Sequence, residues 1–229
     1  MDFKYIGVIF VVLLLFNTPI YPLNSYENQE VKFYLRFADE FELWIKSGLH
    51  SIYRSNKEKD YYLRIFIYNP VDFPLGGIEL YNEYKNQYDN RVEPLNMVFP
   101  GYFIKYFQRN NEIIAEFFCD NFEGGQIGKT IVFFRDRKFI MIELVCSVDQ
   151  PPKSLYDYNN RFITYYNIMK EYLLKYDTGI VDDFSYFTPA INTFERDVRA
   201  GVIPDMPEEV LDLILKFDEI VNSLEFFDP

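Results

Sequence analysis

The 229 residues carry 35 acidic against 23 basic side chains, a net charge of −12 at pH 7. That balance excludes a phosphate-backbone binder, which needs clustered Lys and Arg, and disfavours adhesion to an anionic membrane surface. An apolar fraction of 49% over this length supplies core material for a single domain.

Residues 1–25 have the layout of an export signal. Lys4 and the amino terminus form a short basic region, residues 5–16 are an apolar run, and Asn17, Thr18 and Pro19 break it. The run is shorter than the ~20 residues that span a bilayer, so it reads as a secretory signal. Cleavage is expected between Pro22 and Ser25; left uncut, the segment would anchor a domain held outside. No Cys follows the run, so a lipid-anchored form is not expected. The remainder, 26–229, is expected to be one α+β domain in the periplasm, on the cell surface or secreted.

Phe33, Phe37, Phe41 and Trp44 or Ile45 lie at helical spacing and predict a helix from about Phe37 to Gly48. Val31, Phe33, Leu35 and Phe37 also alternate as a strand does. The single histidine, His50, then falls in a loop and reads as a solvated surface residue. Residues 57–60 are a charged turn, and residues 61–68 predict a strand closed by Asn69-Pro70. After Gly76-Gly77, the spacing of Ile78, Tyr81, Tyr84 or Lys85, and Tyr88 predicts a short polar helix, followed by a linker over 92–96.

Four runs rich in β-branched and aromatic residues follow, at 98–108, 112–119, 130–134 and 138–148, and predict an antiparallel meander of four to five strands. Asn110-Asn111 and Asp136-Arg137 suit tight turns, which set Lys105 opposite Glu116 and Thr130 opposite Glu143. With those pairs on one face, the other carries Ile104, Tyr106, Ile113, Ala115, Phe117, Cys119, Ile131, Phe133, Ile140, Ile142, Leu144 and Cys146. That face is expected to be buried. Phe103, Phe107, Phe118, Phe134 and Phe139 interrupt the polar face, which predicts partial cover there too. Cys119 and Cys146 fall on strands two spacings apart, beyond disulfide reach, and read as small buried hydrophobes.

Pro151-Pro152 ends the sheet. Ser154 and Asp157 resemble a weak capping box for a helix running to about Tyr176, with a stripe of Tyr158, Phe162, Tyr165, Met169, Tyr172 and Tyr176. This helix, together with the C-terminal helices that follow it, is expected to cover the buried sheet face. Thr188-Pro189 reads as the start of a helix carrying Ile191, Phe194 and Val198 and stopped by Gly201. Asp205 and Glu208 read as the cap of a last helix with Val210, Ile214, Phe217, Val221 and Leu224 on its stripe. A long meander followed by a long helix resembles, in element order, the PsbP-like sandwich, which implies a helix over a sheet and no function.

No motif yields a chemistry. Residues 123–130 look like a phosphate loop, but Glu123 stands where Gly is required and a strand, not a helix, follows Thr130. One histidine without a nucleophile signature gives no triad, and one histidine with two separated cysteines gives no zinc set. Asp182-Asp183 near Asp177 lacks the pattern of a calcium loop, while Asp39, Glu40 and Glu42 read as the wet face of a helix. No catalytic residue, cofactor or metal is therefore assigned. The 20% aromatic content reads as compositional bias ahead of a sugar- or protein-binding surface.

The expected function is an exported, non-enzymatic binding or structural module, with a protein or a small apolar ligand as partner. The alternative is an exported carboxylate-dependent hydrolase of a glycan or another polymer, which needs two acids facing across a cleft. A cavity between helix and sheet, if formed, would be lined by Phe117, Phe133, Tyr165 and Met169. Those four are expected to touch each other instead.

Overall fold

A computed structural model describes residues 23–38, 40–55, 61–74, 76–92, 101–121, 126–147, 160–179 and 187–227. The expected signal lies outside them up to residue 22, as do the linker from residue 93, Asp182-Asp183 and the expected helix start at 151–159. Ten strands lie among the described residues. β1 (Leu23–Asn28), β2 (Phe33–Ala38) and β10 (Glu225–Phe226) form a small sheet in the order β1-β2-β10. The large sheet has seven strands: β3 (Phe41–Ser47), β4 (His50–Ser55), β5 (Tyr61–Tyr68), β6 (Tyr102–Arg109), β7 (Glu112–Asn121), β8 (Gln126–Arg135) and β9 (Lys138–Ser147). Its order is β3-β4-β5-β9-β8-β7-β6, antiparallel throughout.

The α+β class and the antiparallel meander stand, with more strands than the four to five expected. The extra ones come from a misread segment. Phe37 to Ser47, expected as helix, is the end of β2 followed by β3, and His50 opens β4 instead of sitting in a loop. Phe33, Leu35 and Phe37 are buried while Arg36 between them is exposed, so period two wins over the three-and-four spacing. Gly48, at φ +56, turns the chain between β3 and β4, a conformation glycine takes without strain.

Both tight turns form as expected. Asn110 and Asn111 have φ of 47° and 68°, Asp136 and Arg137 of 48° and 60°, the positive pair of a primed hairpin turn. Lys105 is opposite Glu116 and Thr130 opposite Glu143. The two polar pairs nevertheless lie on opposite faces. Between β7 and β8, Glu116 is opposite Ile131 and Phe117 opposite Thr130, so one face carries Glu116, Phe118, Lys129, Ile131, Phe133, Ile142 and Leu144. Ala115, Phe117 and Cys119 share the other with Thr130, Val132 and Glu143. The expected single apolar face is thus divided. Gly124-Gly125 marks a turn between β7 and β8 but does not by itself fix which residues face each other across them.

Each face is covered, so Ile104, Phe117, Phe133 and Ile142 are all buried. The face bearing Lys129 packs under the small sheet and the last two helices, α3 (Phe187–Arg199) and α4 (Glu208–Ser223). Phe33 meets Phe133 edge-on at 5.7 Å, and Phe118 meets Phe194 at 5.7 Å. The opposite face is covered at the β8–β9 turn by α1 (Gly77–Asp89), where Tyr81 and Tyr88 pack on Phe134 at 5.3 and 5.0 Å. α2 (Asn160–Tyr176) does not roof the sheet as expected. It packs on α3, with Tyr165 and Tyr172 against Phe194 at 6.2 and 5.5 Å.

Helix ends depart in detail from the sequence signals. α3 already includes Phe187, so Thr188 is in its first turn, where its hydroxyl donates to the Phe103 carbonyl at 3.2 Å. Gly201, at φ +65, closes α3 as expected. Pro207 occupies the N-cap of α4 with no side-chain cap, and Asp205 is a turn residue at φ +57. Cys119 and Cys146 are buried thiols on strands flanking β8 and on opposite faces.

Candidate functional site

Charge concentrates where β7 and β8 meet α3 and α4. Lys129, with no exposure, places its Nζ 2.5 Å from Glu116 Oε1 and 2.8 and 2.9 Å from the two Glu195 carboxylate oxygens. Its ammonium also lies 5.5 Å from the centre of the Phe217 ring. Lys105 reaches Glu116 at 3.4 Å, and Arg199 joins Glu195 at 2.6 Å to Asp218 at 2.5 Å. Three cations and three anions alternate and cancel. Burial pushes the Glu195 carboxyl up, but Lys129 and Arg199 outweigh it and hold the group below its ordinary range. Lys129 is the lysine of the phosphate-loop look-alike, and its place on a strand inside this network removes it from any phosphate.

Two clefts flank the last turns of α4. One, of about 460 Å³, has Phe37, Phe41 and Ile220 as floor and Arg36, Lys216 and Glu219 at its rim. The other, of about 250 Å³, lies against β6 and includes Lys105, Phe107, Glu116 and Asp218. Glu116 and Asp218 are two acids on one cleft, as a hydrolase needs, yet each is engaged by the cations of the network. Glu143 is on the opposite sheet face. Burial raises its carboxyl above the ordinary range, against the pull of Arg64, which pairs with it at 3.1 Å.

The third feature is the outer surface of β3, β4 and β5, where the face opposite the helices continues. Along β5, Tyr61, Leu63, Ile65 and Ile67 are buried and Tyr62, Arg64, Phe66 and Tyr68 alternate outward. Trp44, the only tryptophan, is 56% exposed and packs on Tyr62 at 5.8 Å. The Arg54 guanidinium lies 5.9 Å from the Trp44 ring and 5.7 Å from Tyr62. His50 packs on Phe66 and Tyr68 at 5.4 and 5.0 Å, and its Nδ1 accepts the Ile67 amide at 3.3 Å. Burial holds His50 below its ordinary value, so it is neutral at pH 7. It is a half-buried strand residue, not a solvated loop histidine.

The expected candidates are dispersed. Phe117, Phe133, Tyr165 and Met169 line no common cavity: Phe117 packs on Phe103 at 5.7 Å, Phe133 on Phe226 at 5.1 Å across the sheet, and Tyr165 on Phe194. Glu40, expected on a wet helix face, is buried and pairs with Lys216 at 3.0 Å, while Glu42 is in β3. Among the described residues no group of three or more His, Cys, Asp or Glu could hold a metal, and no helix is long and apolar enough to cross a membrane. The outward ring row was missed. Its signal was present in the period-two pattern of residues 61–68, which were read only as a strand.

The sequence matches no protein-family model and no curated protein. The solution structure of cyanobacterial PsbP (CyanoP) from Synechocystis sp. PCC 6803 is similar at 9% identity, covering 92% of this chain and 96% of that chain with a TM-score of 0.38. A crystal structure at 1.50 Å from Bacteroides thetaiotaomicron VPI-5482 is similar at 5% identity, covering 75% of this chain and 69% of that chain with a TM-score of 0.30. Likeness at this level transfers no activity.

Proposed function

We propose that this is an exported, non-enzymatic binding module of the cell envelope or its exterior, engaging its ligand on the open face of β3, β4 and β5. The observation that carries the reading is Trp44. A large ring left half in water, braced by Tyr62 and Arg54, is costly surface, and the other described phenylalanine and tyrosine rings are buried or half-buried. The charged side chains support the non-enzymatic half of the reading. Glu116, Glu195 and Asp218 are tied to cations, and Glu143 is paired with Arg64 rather than with a second acid. The basic start and apolar run of residues 1–25 support export.

Two measurements test this. The purified protein is expected to turn over none of a panel of chromogenic glycoside, ester and peptide substrates; turnover would overturn the reading. Amino-terminal sequencing of the mature protein is expected to begin between Pro22 and Ser25, and an intact Met1 on protein recovered from the cytoplasm would remove the export half.

A further inference from the structure

We propose that the ring row on the open face is a track for an uncharged polysaccharide, deepening the binding-module reading on which it rests. Tyr62, Arg64, Phe66 and Tyr68 sit on one side of β5 at every second position. At a rise of about 3.3 Å per residue, Tyr62 and Tyr68 are ~20 Å apart along the strand. The rings form two braced clusters on that line. Trp44 leans on Tyr62 at an interplanar angle of 48°, and Phe66 and Tyr68 lie 6.2 Å apart and within 18° of parallel, bridged by His50. A line of side-chain rings along a strand fits an extended polymer whose units each present an apolar face. Pyranose rings do so through their C–H bonds, and their rim hydroxyls take hydrogen bonds from planar donors such as Arg54 and Arg64.

Charge decides which polymer. Arg64 is neutralised by Glu143 at 3.1 Å, Arg54 stands opposite Glu42 across the strand pair, and His50 is neutral. Single-stranded nucleic acid also stacks on aromatic rows, but it requires a cationic groove, and this face is balanced on a chain of charge −12. The same balance disfavours sulfated or uronic glycans. An added protein strand is opposed by the edge itself: the β3–β4 register shifts between Leu43 and Ile45, and Glu42 and Lys46 flank the bulge. Side-chain rings, not backbone edge, are what this surface offers.

The test is affinity gel electrophoresis in native gels containing xyloglucan, galactomannan, mixed-linkage β-glucan or α-glucan, with heparin and polyuridylate as anionic controls. In parallel, the emission of the single tryptophan is followed as each polymer is titrated. At least one neutral polymer is expected to retard the protein and shift Trp44 emission to the blue. Trp44→Ala and Tyr62→Ala, each with an unchanged circular dichroism spectrum, are expected to weaken that binding at least tenfold, and Trp44→Phe to weaken it less. Retardation by no neutral polymer, by the anionic controls equally, or undiminished in both alanine variants would overturn the inference. Cleavage of a retarded polymer would instead overturn the non-enzymatic reading while leaving the glycan class standing.

Discussion

Both carboxylate oxygens of Glu195 grip the ammonium of Lys129, at 2.8 and 2.9 Å, in a place where that lysine meets no solvent. A buried ion pair adds little net stability, but removing one partner strands the other in low dielectric. Lys129→Met leaves Glu116 and Glu195 facing each other and is expected to cost ~3–5 kcal/mol of unfolding free energy in urea. In a double-mutant cycle, Lys129→Met and Glu195→Gln are expected to be strongly non-additive, the pair costing less than the sum of the two. Additive losses would show that the contact does not hold α3 to the sheet.

Two buried glutamates are expected to respond to pH with opposite sign. Glu195 is held below its ordinary value of 4.5, so its stabilisation is complete above that pH and lost as pH falls through the lower folded value. Glu143 is held above 4.5 by burial, so its contribution is full below 4.5 and is lost as pH rises through the folded value. Urea midpoints measured from about pH 3 to pH 7 check this. Glu195→Gln should flatten the acid limb, and Glu143→Gln should flatten the limb above pH 4.5. The reverse assignment would contradict the network as drawn.

Arg137 is exposed at φ +60 in the β8–β9 turn, a conformation that costs a non-glycine residue about 1–2 kcal/mol. Glycine removes that cost and adds unfolded-state entropy of roughly 0.5–1 kcal/mol against it. Arg137→Gly is therefore expected to stabilise by about 0.5 kcal/mol, and Arg137→Val to destabilise by more than about 1 kcal/mol. A rise in melting temperature for the first and a fall for the second would confirm the primed turn.

Cys119 and Cys146 lie on opposite sides of β8 and on opposite faces, so no local movement joins them. The native protein is expected to react slowly with a thiol reagent and to yield two thiols per chain in denaturant, with or without prior reduction. An intramolecular disulfide found by mass spectrometry would refute the strand order.

The legible parts of the sequence were those where local chemistry and global packing agree. Asn110-Asn111 and Asp136-Arg137 announce their turns, and Tyr81, Tyr84 and Tyr88 announce the buried side of α1, because each signal is set by neighbours in the chain. Phe37, Phe41 and Trp44 misled because three- and four-residue spacing is also what two short strands joined by a turn can show. The split of Phe117 from Phe133 was illegible for another reason: β7 and β8 are apolar at successive positions, such as Phe117-Phe118 and Ile131 to Phe134, so their pattern fits either of two registers one residue apart. The ring row was hidden because an outward tyrosine or phenylalanine reads the same whether it meets water or a ligand. Lys129 was hidden likewise, since only α3 and α4, distant in sequence, turn it from a loop lysine into a sealed charge.

The second and last strands of the described chain are neighbours: Phe33 pairs with Phe226, and the Ser223 hydroxyl closes on the Arg36 backbone 187 residues away. Phe33 in turn wedges beneath Phe133 of the large sheet. The small sheet therefore cannot be completed before residues 33–36 meet residues 223–226, a pairing of such sequence separation that it is expected to form late in folding.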